Sequence, residues 1–101
     1  MPLAIAVDRQ RIAALSHQWR VEKLALFGSA VREDFGPDSD VDVLVELKPE
    51  HGLSLYDWVD MIDELKVIFG RDVDLVAEGG LKNPFRRAGI LRTAEVVYEE
   101  G

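Results

Sequence analysis

The segment Asp40–Leu47 most constrains how this chain can fold, because acidic and apolar residues alternate along its first half. In a β-strand, successive side chains point to opposite faces of the sheet. The three valines of the segment therefore share one face, which requires burial, while Asp40 and Asp42 lie together on the other. The pattern predicts a strand that borders a hydrophobic core on one side and presents two adjacent carboxylates on the other.

Helical and alternating patterns predict the remaining elements. The predicted order is a helix from Asp8 to about Gln18, a strand over 21–27, a short helix from Ser29 to about Glu33, the strand Asp40–Leu47, a helix from Ser54 to Gly70, a strand over 72–77, a helix from Asn83 to about Thr93 and an edge strand over 95–99. Alternating helices and strands are typical of an α/β fold, here a small mixed sheet with helices packed on it. A length of 101 residues predicts a single domain, residues 1–101, with one modest core.

The longest predicted helix begins with a capping box that pairs Ser54 with Asp57, and it ends at Gly70. Its apolar residues recur at helical spacing, which is more typical of a core face than of a cofactor site. The predicted buried stripe consists of Leu55, Trp58, Val59, Ile62, Leu65 and Phe69.

The charge of the chain argues against nucleic acid as a partner. Its 12 basic and 19 acidic residues give a formal net charge of −7, whereas nucleic-acid binding depends on Lys and Arg that neutralise phosphates. A small basic group at Lys82, Arg86, Arg87 and Arg92 is interpreted as a solvated helix face in preference to a phosphate or partner contact. The chain has no cysteine, which excludes disulfides, thiolate metal sites and a cysteine nucleophile.

The sequence shows no sign of export or membrane insertion. Its first residues lack the basic segment and the long apolar run of a signal peptide, and no stretch is long enough to span a bilayer. We therefore expect a cytoplasmic protein.

Gly28 and Ser29 form a candidate phosphate site at the end of the first predicted strand. Glycine allows a ligand to approach the backbone closely, and a serine at a helix start offers a hydroxyl and free N–H groups at the positive end of the helix dipole. By itself, this dipeptide is more typical of an ordinary turn in which the serine caps the helix.

Three aspartates give this site its chemical character. Asp40 and Asp42 share one strand face, where their carboxylates can bridge hard cations, and Asp74 lies between apolar neighbours on a later strand. A pair of solvated acids is the structural alternative for Asp40 and Asp42. Three carboxylates beside a phosphate site are what a magnesium-dependent nucleotidyl transfer requires, with Asp74 suited to orient or deprotonate the attacking hydroxyl.

These residues together resemble the nucleotidyltransferases of the DNA polymerase beta superfamily. The family pattern is Gly-Ser, an arginine three residues after the serine, a Ser-Asp-x-Asp motif and a later strand aspartate. Gly28-Ser29, Arg32, Ser39-Asp40-Val41-Asp42 and Asp74 match it. Many relatives have glycine after the arginine, where this chain has Glu33. The resemblance extends over nearly the whole chain and implies a polymerase-beta-like palm.

Members of this size resemble the antitoxins of two-gene modules whose partner is a helical HEPN ribonuclease toxin. The resemblance implies transfer of AMP from ATP to a tyrosine of that toxin, with release of pyrophosphate. Asp40 and Asp42 would hold two Mg²⁺ ions, and Asp74 would contact the catalytic ion and the incoming hydroxyl. Gly28 and Ser29 would bind the β- and γ-phosphates. Arg32 and Ser39 belong to the same motif, although a salt bridge and a turn are their simplest roles.

Two other functions remain open at this stage. The chain could be an antitoxin that neutralises its partner by binding alone, without catalysis. It could also modify a small molecule, as the aminoglycoside-modifying nucleotidyltransferases do. Those enzymes carry an additional helical domain for the acceptor, which 101 residues do not accommodate. The short chain and its acidic charge favour a protein acceptor.

Overall fold

The computed structural model describes residues 7–28, 40–77 and 84–100. Within these ranges the chain forms a four-stranded sheet and three helices. The elements are α1 (Arg9–Gln18), β1 (Val21–Phe27), β2 (Val41–Leu47), α2 (Leu55–Phe69), β3 (Val73–Ala77), α3 (Pro84–Thr93) and β4 (Glu95–Glu99). The predicted order is confirmed, with β2 and β3 each beginning one residue later than expected. The short helix predicted from Ser29 to Glu33 lies outside the described residues.

The sheet is mixed, as predicted, and its strand order is β3-β2-β1-β4. β1 pairs antiparallel with both β2 and β4, whereas β2 and β3 run parallel. A parallel pair needs a crossover connection, and α2 supplies it. The C-terminal end of β1 and the N-terminal ends of β2 and β3 therefore meet at one end of the sheet.

The two faces of the sheet are covered differently. The larger core lies between one face and the helices α1 and α2, and it contains the three fully buried valines of β2 together with Leu24 and Leu26 of β1. A smaller cluster occupies the opposite face, where Ala25, Phe27 and Leu44 are buried and residues of α3 pack on them. The predicted segregation of valines and carboxylates in β2 agrees with this burial.

The ends of the helices form as their sequences predict. Asp8 caps α1 by accepting a hydrogen bond from the Arg11 N–H at 3.1 Å. At α2, the Ser54 hydroxyl and the Asp57 side chain each accept from the other residue's backbone N–H, and Gly70 ends the helix in the left-handed region at φ +68°. No helix in the described ranges is long and apolar enough to cross a membrane.

The predicted buried stripe of α2 was wrong at two positions. Leu55 is 78% exposed and Val59 is 49% exposed, whereas Met61, which the prediction omitted, is fully buried. The buried row is Met61, Leu65 and Phe69, whose spacing of four residues places them on one helix face. The first turn of α2 thus exposes apolar side chains, because the helix turns a different face toward the sheet.

Ser16 is a buried polar residue whose hydroxyl has no hydrogen-bond partner in the described part of the chain. An unpaired buried hydroxyl destabilises the folded state, so we expect Ser16→Ala to raise the free energy of unfolding by up to ~1 kcal/mol. Ser54→Ala is the matched control and should lower it by ~1 kcal/mol, because it removes a helix cap. Urea unfolding of both variants measures the two signs. A loss of stability in Ser16→Ala would contradict an unpaired hydroxyl.

Candidate active site

Asp42 and Asp74 are directly paired across the parallel strands β2 and β3. Neighbouring strands lie ~4.8 Å apart, and residues paired across them project from the same face of the sheet. The two carboxylates are therefore neighbours, although 32 positions separate them in the sequence. Asp42 is half-buried and Asp74 is exposed. Two adjacent carboxylates repel each other unless a cation or solvent neutralises them, so this pair favours cation binding.

Gly28 lies beside Asp42, directly after the C-terminal end of β1. It follows Phe27, which is paired with Asp42, and its backbone adopts the left-handed region at φ +66°. A Cβ at this position would lie 2.1 Å from the Oδ2 atom of Asp42, so no other residue fits without displacing the carboxylate. Glycine is thus required here for two reasons, the backbone angle and the contact with Asp42. The prediction that a ligand approaches the backbone closely at Gly28 stays a prediction.

Asp40 lies just before β2 and is exposed. Its successor Val41 donates its N–H to the carbonyl oxygen of Asp72 at 2.9 Å, which extends the contact between the two segments beyond the strands. Asp72 is exposed as well. The acidic side chains of both segments therefore gather at the end of the sheet where β2 and β3 begin.

An apolar floor behind the carboxylates was not predicted from the sequence. Leu44 follows Asp42 on the same strand face and is only 2% exposed, and it packs with Phe27 in the cluster under α3. Ile90 of α3 and Ala94, which directly follows this helix, cover the cluster. Phe27, Leu44 and the paired carboxylates therefore share one sheet face. The sequence signal for this floor is Leu44, which interrupts the polar positions of β2.

The rest of the predicted nucleotide site lies outside the described residues. This applies to Ser29, Arg32 and Ser39, and to Lys82 of the basic group. Arg92 lies in the last turn of α3 and is exposed, as a solvated helix face requires. Within 7–28, 40–77 and 84–100, no three His, Asp or Glu side chains are already grouped as a metal site. The roles of these residues therefore stay predictions.

The available donors nevertheless suit a hard divalent cation. Mg²⁺ prefers carboxylate oxygens and usually keeps several water ligands, so one or two carboxylates can hold it. Asp42 and Asp74 supply such donors from adjacent strands, and Gly28 leaves the space beside Asp42 without a side chain. The small mixed sheet, the carboxylates paired at one end of it and the glycine turn beside them agree with the nucleotidyltransferase fold that the sequence resembles.

Comparison with known proteins assigns the family. The protein-family model named nucleotidyltransferase domain matches residues 9–97 of this chain. The chain belongs to that family, as the resemblance in its sequence predicted. The match begins at α1 and ends within β4, so it includes all the other described strands and helices in full and β4 in part.

The relatives are small nucleotidyltransferases. Protein adenylyltransferase MntA of Thermococcus cleftensis is 37% identical over 86 residues, which cover 83% of this chain and 80% of the relative. A solved structure provisionally named a minimal nucleotidyltransferase has a TM-score of 0.71 at 32% identity, with 85% of each chain covered. A chain in the complex of a tri-AMPylated Shewanella oneidensis HEPN toxin with its MNT antitoxin has a TM-score of 0.63 at 17% identity, covering 91% of this chain and 70% of its own length. That last likeness concerns the fold alone.

Proposed function

We propose that this chain is a Mg²⁺-dependent protein adenylyltransferase that transfers AMP from ATP to a hydroxyl group of a HEPN-type ribonuclease toxin and thereby acts as its antitoxin. The acceptor is proposed to be a tyrosine, and the compartment the cytoplasm, where ATP is abundant. The observation that carries the proposal is the pairing of Asp42 with Asp74 beside the side-chain-free backbone of Gly28.

Each candidate residue has a proposed role in this reaction. Asp40 and Asp42 would hold two Mg²⁺ ions, and Asp74 would share the ion nearest the acceptor. Bound Mg²⁺ would supply charge neutralisation at the reacting phosphate. Gly28 and Ser29 would bind the β- and γ-phosphates, with Arg32 and Ser39 completing the nucleotide site.

The bonding changes follow from adenylyl transfer. The tyrosine oxygen attacks the α-phosphorus of ATP, a new P–O bond forms, and the bond between the α-phosphorus and the oxygen that bridges to the β-phosphate breaks. The products are a tyrosyl-AMP ester and pyrophosphate. Asp74 would accept the hydroxyl proton, a role that its exposure and its position across from Asp42 support.

Two relatives support the protein as acceptor. The Thermococcus cleftensis relative carries the name protein adenylyltransferase, and the Shewanella oneidensis complex contains an AMPylated HEPN toxin beside an MNT antitoxin. The net charge of −7 also suits a partner that binds RNA, because such a protein must carry basic residues.

The test uses the purified chain, its HEPN partner, Mg²⁺ and ATP labelled at either the α- or the γ-phosphate. We expect the toxin to retain the α-label and to acquire none of the γ-label, with loss of the signal when EDTA removes the metal. Mass spectrometry of the labelled toxin then identifies the acceptor residue. Label on added RNA would overturn the protein acceptor. Neutralisation of the toxin without any label would favour an antitoxin that acts by binding alone.

A further inference from the structure

The sheet face that carries Asp42 and Asp74, which we call the carboxylate face, has a row of apolar side chains directly behind these two residues. Asp42 is paired with Asp74, and two positions further along the same strands Leu44 is paired with Val76. Side chains two positions apart on a strand point to the same face and are separated by ~6.6 Å along it. Val76 is therefore the apolar side chain that follows Asp74 on its own strand and face.

Val76 is less buried than the apolar residues beside it in this row. Ala25 and Leu44 are buried, whereas Val76 is half-buried and packs against their cluster. It lies on β3, an edge strand of the described sheet, together with Asp74, which is exposed. Val76 thus keeps apolar surface accessible next to the carboxylate that is proposed to accept the hydroxyl proton.

The strand order places Val76 on the side of the site from which an acceptor would arrive. Phe27 is paired with Asp42, and Gly28 directly follows Phe27 on the β1 side. Asp74 lies on the other side of Asp42, on β3. In an in-line displacement, the attacking and the leaving oxygens stand on opposite sides of the phosphorus. Because the proposed phosphate site at Gly28 holds the leaving pyrophosphate, the attacking hydroxyl arrives on the β3 side.

A tyrosine is the acceptor side chain that suits this surface. Its hydroxyl is the polar tip of a rigid apolar ring, so a tyrosine whose oxygen lies at Asp74 places its ring against a neighbouring surface. The hydroxyl of serine or threonine has no such apolar body behind it. Val76 offers the ring an apolar contact two positions from Asp74 on the same face. This contact is favourable because it removes apolar area of both side chains from water.

We propose that Val76 is a specificity residue of the active site, which contacts the aromatic ring of a phenolic acceptor and so favours tyrosine over serine and threonine. The inference rests on the proposed function, because it concerns the acceptor of the same AMP transfer. Val76 contacts the ring alone and takes no part in proton transfer, which belongs to Asp74.

Val76→Thr tests this contact in steady-state transfer of α-labelled phosphate to the toxin. Threonine keeps the β-branched shape of valine, but it replaces one methyl group by a hydroxyl that the ring would have to desolvate. We expect the KM for the toxin to rise ~10-fold, as the loss of one apolar group from a pocket does, while the KM for ATP is unchanged. Val76→Ile keeps the apolar contact and should retain the KM of the unmodified chain for the toxin.

Val96→Thr is the matched control. Val96 is paired with Ala25 in the same row across the sheet and is 44% exposed, but it lies on β4, the opposite edge strand. Neighbouring strands are ~4.8 Å apart, so three strand spacings, ~14 Å, separate it from Val76. The same substitution at this distance should leave both KM values and the transfer rate unchanged.

The outcomes distinguish this inference from the proposed function. Equal KM values for the toxin in Val76→Thr and Val96→Thr would overturn the contact with the acceptor, even if AMP transfer proceeds. A raised KM for ATP with an unchanged KM for the toxin would overturn it in favour of a contact with the nucleotide. Transfer of AMP by the unmodified chain to a serine or threonine of the toxin, identified by mass spectrometry, would refute the preference for tyrosine. If the unmodified chain transfers no AMP to the toxin, the proposed function fails, and the inference about its acceptor fails with it.

Discussion

Asp42→Asn is expected to lower the rate of AMP transfer to the toxin by ~10³-fold or more, because it removes a carboxylate from the position opposite Asp74. Neutralisation of transition-state charge by a bound metal contributes several kcal/mol, and ~4 kcal/mol corresponds to a ~10³-fold change in rate. Asparagine has nearly the same shape, so the sheet should form as before. Transfer of α-labelled phosphate under saturating ATP and Mg²⁺ measures the loss, and circular dichroism verifies the fold.

Asp72→Asn is the matched control for this prediction. Asp72 lies two residues before Asp74 and is exposed, but it precedes β3, and only its backbone carbonyl is bonded to β2, through the Val41 N–H. Its replacement changes the net charge by the same amount and should leave the transfer rate unchanged. Equal losses of transfer rate in both variants would show that the total negative charge at this end of the sheet matters, rather than the pairing of Asp42 with Asp74. Full activity of Asp42→Asn would contradict the assignment of the site.

Gly28→Ala is expected to impair both stability and activity. The left-handed backbone at φ +66° costs a residue with a Cβ ~1–2 kcal/mol, and the new methyl group would in addition lie 2.1 Å from the Asp42 carboxylate. Either the backbone at residue 28 or the Asp42 carboxylate must therefore shift. A displacement of ~1 Å at a catalytic group can reduce the rate ~10²-fold. Urea unfolding and the labelled-ATP assay measure the two effects on the same preparation.

Gly70→Ala separates the two causes. Gly70 has nearly the same backbone angle, φ +68°, but a Cβ there would meet no atom within 4 Å. We therefore expect Gly70→Ala to show the stability loss from the backbone angle and to retain most of the transfer activity. If Gly70→Ala is as inactive as Gly28→Ala, the contact between Gly28 and Asp42 is not the reason for the loss.

Much of the fold followed from local patterns that act within one element. The alternation in β2 determined which side chains face the core, and the capping residues Asp8, Ser54 and Asp57 determined where α1 and α2 begin. Such signals depend on sterics and hydrogen bonds between residues a few positions apart, so they are visible without tertiary structure. The stripe of α2 was partly wrong for the opposite reason. Its sequence offers apolar residues around more than one face, and only packing against the sheet selects Met61 over Leu55 and Val59.

The candidate site also has a part that the sequence predicts and a part that only the tertiary structure shows. The sequence by itself indicated which residues are candidates for the chemistry, because carboxylates and a glycine at a strand end are recognisable from their types and spacing alone. Only the tertiary structure decided that Asp42 stands opposite Asp74, that Gly28 contacts the Asp42 carboxylate, and that α3 packs on Phe27 and Leu44 of the same sheet face. Strand order and register arise from contacts between distant segments, whose free energy depends on the whole core. No single segment contains that information, so the register became known only with the fold.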